Sequence, residues 1–208
     1  MQQVLGLALI LCAASITSFR PLPCQVSSEA VKIAASIRSS GKPIGALSVL
    51  TQRMGPRPRA NLDAIADSLA SIVIDDPNAT RTNSQYRFSA EMTLIHAGMS
   101  SKGTAYVGTA ERLFRIAQNA TDVGDRSAAI SGLAEMPNRT QALGMLRQIA
   151  ISHNPVAYAA VQALDGDEIS ANGGLTLLRE LHEKALITDV TARRALLFIA
   201  KKNGWTIP

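Results

Sequence analysis

Aromatic side chains are only 4% of the 208 residues, tryptophan occurs once, and there are three histidines and two cysteines. Each scarcity excludes something. With few large rings, the 47% hydrophobic content rests on alanine, leucine and isoleucine, which suits small side chains between closely packed helices. His96, His153 and His182 are scattered, and the chain has no H-E-x-x-H, C-x-x-C or Cys/His cluster, so no metal site is expected. A G-x-S-x-G elbow, a phosphate-binding glycine loop and a dinucleotide fingerprint are also missing. No cofactor and no enzymatic activity are expected on this basis. Asp165-Gly166-Asp167-Glu168 opens like a calcium loop, but Ile169 and Thr176 stand where ligands are needed, which leaves a solvated turn ahead of a helix. His182 beside Glu183 is an isolated acid/base candidate.

Long hydrophobic runs are equally sparse. The one near the start, Val4 to Ile16, has thirteen uncharged residues, short of the roughly 20 needed to cross a bilayer. With small residues at Ala13, Ala14 and Ser15 it reads as a secretory signal peptide over residues 1–15, although the leading Met-Gln-Gln carries no basic side chain. The chain is therefore expected to be exported, periplasmic or secreted, with membrane contact only through an uncleaved N-terminus. Cleavage removes Cys12 and leaves Cys24 alone in a Pro-flanked stretch expected to be flexible over 16–27, so no internal disulfide can form. Three N-x-T triplets begin at Asn78, Asn119 and Asn138.

The net charge of +5 and pI near 9.6 raise the question of an anionic partner. Residues 1–87 hold nine Lys/Arg against five Asp/Glu, whereas residues 88–208 hold twelve against eleven, so four of the five excess charges precede the array. Arg53, Arg57 and Arg59 form the only local concentration of basic residues, a candidate contact for nucleic acid or another anionic ligand. No aromatic residue is interleaved there to stack bases, and the alternative is a solvated loop between helices.

Helical periodicity runs along the chain. Amphipathic helices are expected over Ser28–Ser39 and about Ile44–Met54, broken by Gly55-Pro56-Arg57-Pro58. Leu62, Ile65, Ala66, Leu69, Ile72 and Val73 predict a helix over 59–75. The polar stretch 76–86 reads as a loop and as the boundary between an N-terminal helical extension (28–76) and a repeat array (77–208). In that array Ala110 to Ala117, Ala142 to Ile149 and Gly174 to Leu181 each place apolar or small residues at i, i+3, i+4 and i+7. Each contains two apolar residues followed by an arginine, at Arg115, Arg147 and Arg179, with a constant interval of 32. Further helices carry Ala129, Ile130 and Leu133, then Ala160, Val161 and Leu164, then Ala195, Leu196 and Ile199. Asp122 or Asp125, and Asn154-Pro155, read as helix starts, and Met136-Pro137 as a stop. The last helix is expected over Asp189–Lys202, with Gly204 past its end and Trp205 folding back over the stack.

Helix, short turn, helix at this interval, with alternating small and aliphatic residues and an arginine in the second helix, resembles the HEAT-repeat family in its short-repeat form over about residues 85–204. The resemblance implies an all-α superhelix, an α-solenoid, with second helices lining its concave face. It also implies an aspartate early in the second helix that pairs with the arginine; here Thr109, Gln141 and Gly173 stand six positions before the arginines. Arg115, Arg147 and Arg179 are candidate binding residues along one stripe, or else bonds to carbonyls and carboxylates of neighbouring repeats. The expected function is a non-catalytic protein-binding or scaffold module with a protein or peptide partner. Some short HEAT-like proteins resemble pigment-attaching lyases, which makes a lyase or accessory subunit the alternative.

Overall fold

The apolar periodicity becomes helix in every described part of the chain, and no strand occurs among the described residues. The computed structural model describes residues 59–75, 84–99, 108–152 and 155–206, together with Lys32, which is helical. The expected leader, the segment 16–27, the rest of the helices expected over 28–54, and Arg53 and Arg57 lie outside the described residues. Among the described residues eight helices of eight or more residues follow: α1 (Arg59–Ile74), α2 (Ser84–Met99), α3 (Thr109–Asn119), α4 (Val123–Ala134), α5 (Arg139–Ile151), α6 (Ala157–Leu164), α7 (Leu175–Glu183) and α8 (Val190–Lys202). The loop expected over 76–86 overruns into α2, where Ser84, Gln85 and Tyr86 are already helical. The buried stripe of α2 begins with Arg87, and a charged residue in that place hides the helix start from a search for apolar periodicity.

Local chemistry sets the helix ends. The Asp122 carboxylate accepts from the Gly124 and Asp125 amides at 2.7 and 3.1 Å and opens α4, and Asp189 accepts from Ala192 at 2.7 Å and opens α8. Asn138 does the same for α5 through the Gln141 amide. The expected start at Asn154-Pro155 is displaced: Val156 stands at the cap and α6 begins at Ala157, while Asn154 lies outside the described residues. Gly204, at φ +67°, closes α8: Trp205 N donates to Ala200 O at 2.9 Å and Gly204 N to Lys201 O at 3.2 Å. The same pair of bonds ends α7, with Ala185 in the left-handed conformation.

Packing follows the order of the chain. Consecutive helices lie against each other, most extensively α3 with α4 and α5 with α6. Alternate helices touch as well, so that α1, α3 and α5 form one layer and α2, α4, α6 and α8 the other. The core between the layers is aliphatic: Leu113, Ile130, Leu146, Leu164 and Leu178 are fully buried, among alanines such as Ala129, Ala142 and Ala160. The small first position of each repeated octapeptide, Ala110, Ala142 and Gly174, is buried in all three. In the third copy the residue must be glycine. A π-helical segment, Ser170–Gly174, leads into α7 through Gly173 at φ +114°, and a Cβ on Gly174 would lie 2.3 Å from the Leu164 carbonyl oxygen.

Candidate functional site

The three periodic arginines are each engaged by a carboxylate. Arg115 Nη1 lies 2.7 Å from Asp67 Oδ1 on α1, and the neighbouring Arg112 reaches the other oxygen of Asp67 at 3.1 Å and Asp63 at 3.4 Å. Arg147 Nη2 lies 3.4 Å from Glu180 Oε1 on α7, and Arg179 Nε lies 2.8 Å from Glu183 on its own helix. Lys184 bonds the same Glu180 oxygen at 3.0 Å. That bond and the lysine's charge, followed by the charge of Arg147, hold the Glu180 carboxyl below its ordinary value. Two other arginines bind helix ends: Arg126 Nε donates to Ala117 O at 2.8 Å, and Arg139 donates to Ala134 O while pairing with Glu168 at 2.8 Å. Arg59 opens α1, and Arg53 and Arg57 lie outside the described residues.

A second charged group is buried between α2 and α4. Arg87 and Asp125 form an ion pair with almost no exposure of either side chain. One turn further along α2, Glu91 is 1% exposed, and neither of its carboxyl oxygens has a hydrogen-bond partner. Burial, and then the charge of Asp125, push its pKa up to about 8, so Glu91 is protonated at neutral pH. One cation, one anion and one neutral acid leave this part of the core without net charge. Sequence periodicity does not single out these residues, but a signal exists: Arg87 and Glu91 share a helical stripe with Leu94 and Ile95, where a surface residue has no place. Asp125, read as a possible cap, is instead the buried partner, and Asp122 does the capping.

The His182 and Glu183 side chains diverge. His182 is buried, donates from Nε2 to the Thr206 carbonyl at 3.1 Å and stacks obliquely on Trp205, with ring centroids 6.2 Å apart, while Glu183 turns to Arg179. Trp205 thus folds back onto α7. Among the described residues no group of three or more His, Cys, Asp or Glu is placed to hold a metal ion, and no helix is long and apolar enough to cross a membrane.

Concavity is found at the helix ends and edges. One groove of about 440 Å³ is walled by Met99, Ser131, Glu135, Ala163 and Asp167; a second of about 440 Å³ lies between α6 and α8, walled by Tyr158, Gln162, Asp165, Ala195 and Phe198. Both are bounded by Gly166. Large hydrophobic side chains stand exposed along them, Met99 at 43%, Tyr158 at 38% and Phe198 at 72%. No family model, curated protein or solved structure matches the chain.

Proposed function

We propose that this chain is a non-catalytic, exported binding or scaffold module, built as an α-solenoid of short HEAT-like repeats, that holds a protein or peptide on its helical surface. The observation that carries the reading is the pair of grooves meeting at Gly166, with Met99, Tyr158 and Phe198 exposed along them. Contiguous concavity with exposed large hydrophobic groups is the usual character of a docking surface. The two-layer order of the helices and the constant interval of the arginines support the solenoid, in which each unit buries its apolar face against the next. Arg115 and Arg147 serve such a stack as cross-links to Asp67 and Glu180 of other helices, while Arg179 pairs with Glu183 along its own helix.

A photoreactive phenylalanine analogue in place of Met99, in the chain lacking residues 1–15, tests the reading in the host's envelope fraction and culture fluid. A discrete cross-linked protein is expected. Labelling of nothing but the chain itself, in both fractions, contradicts it.

A further inference from the structure

Three of the four cations of α8 differ from most of the others among the described residues. Arg87, Arg112, Arg115, Arg139, Arg147 and Arg179 all pair with carboxylates. By contrast α8 carries Arg193, Arg194, Lys201 and Lys202 and no acidic residue. Only Lys202 of these is paired, with Asp165 at 3.6 Å; Arg193, Arg194 and Lys201 make no ion pair or side-chain hydrogen bond among the described residues. The helix dipole favours Lys201 and Lys202 at the C-terminal end and gives no such favour to Arg193 and Arg194 near the start.

The exposed face of this helix is also apolar where it should be polar. Val190 (62% exposed), Arg194, Phe198 (72% exposed) and Lys201 or Lys202 follow at intervals of three or four and so lie along one stripe. Phe198 stands at the edge of the groove between α6 and α8, across from Tyr158, whose hydroxyl accepts from Gln162 at 2.6 Å. Along α8, Arg194 precedes Phe198 and Lys201 follows it, so positive charge lies before and after an exposed aromatic ring, which is complementary to acidic groups placed before and after an apolar one.

We propose that the outer face of α8, with its groove against α6, binds an acidic polypeptide segment that inserts an apolar side chain beside Phe198. This rests on the binding-module reading and names its site and the class of partner. A polypeptide is favoured over nucleic acid or an anionic membrane because Asp165 lies in the groove wall, and Asp167 and Glu168 line the adjoining one. A continuous polyanion would meet those carboxylates, whereas a short segment can place its acids against Arg194 and Lys201 alone.

The test is fluorescence anisotropy with a labelled peptide of about a dozen residues in which glutamates flank a central phenylalanine. Saturable binding is expected, weakened by rising salt, and weakened about tenfold or more by Phe198→Ala and by Arg194→Glu. Both side chains are exposed, and circular dichroism should show both variants folded. A peptide with lysines in place of the glutamates should not bind. Absence of binding, binding indifferent to either variant, or displacement of the peptide by single-stranded oligonucleotide or by phosphatidylserine vesicles would overturn the proposal. If the peptide fails while the position-99 cross-link still captures a protein, the α8 assignment alone is wrong; if both fail, so is the binding-module reading.

Discussion

Glu91 is the residue whose behaviour departs furthest from what its chemistry suggests. Its folded pKa of about 8 stands against an ordinary value of 4.5. Between those values the native state holds a proton that the unfolded chain has released, so stability falls as pH rises. The contribution of the neutral acid is complete below the ordinary value, declines through neutrality and is exhausted above the folded one. At pH 7 the difference amounts to at most about 3 kcal/mol. Glu91→Gln cannot ionise, so its advantage over the parent should be small at about pH 4.5, grow with pH and level off above about pH 8. Urea unfolding across this range measures it, and a pH-independent difference would contradict the account. This site was barely legible in the sequence. Arg87 and Glu91 are four apart on one helix, but Asp125 lies 38 positions beyond Arg87 and only the fold brings it there.

At the level of helices, much more could be read. The apolar stripes around Arg115, Arg147 and Arg179 give α3, α5 and α7, and the caps at Asp122 and Asp189 follow from their side chains. The partners of the arginines could not be read, because none occupies the position that the repeat supplies. Asp67 belongs to α1, outside the period, and Glu180 follows Arg179 where the other copies have Ile116 and Gln148. Glycines show the same division between local and tertiary causes. Gly144 lies inside α5 with nothing within 4 Å of an added Cβ, so Gly144→Ala should stabilise by about 0.8 kcal/mol through backbone entropy and helix propensity. Gly174 faces the Leu164 carbonyl, which cannot rotate away, so Gly174→Ala should destabilise by about 3 kcal/mol. Thermal and urea melts of the two variants should move in opposite directions. Equal shifts would mean that α7 can be displaced from α6 at little cost.

For the whole molecule, the division of charge is the feature that joins fold to function. Cations on α2, α3, α5 and α7 face carboxylates and act between or along helices, while Arg194 and Lys201 on α8 stand exposed before and after Phe198. In the division of roles proposed above, Arg115, Arg147 and Arg179 serve architecture and the α8 face serves binding. Partner retention and thermal stability, measured together on two variants, separate these roles. One variant carries Arg115→Gln, Arg147→Gln and Arg179→Gln; the other carries Arg194→Glu and Phe198→Ala; both carry the photoreactive phenylalanine analogue in place of Met99. The first should melt earlier yet still cross-link its partner below its melting temperature, and the second should melt with the parent yet lose the partner. The reverse pattern, with capture lost in the arginine variant and kept in the α8 variant, would contradict that division of roles.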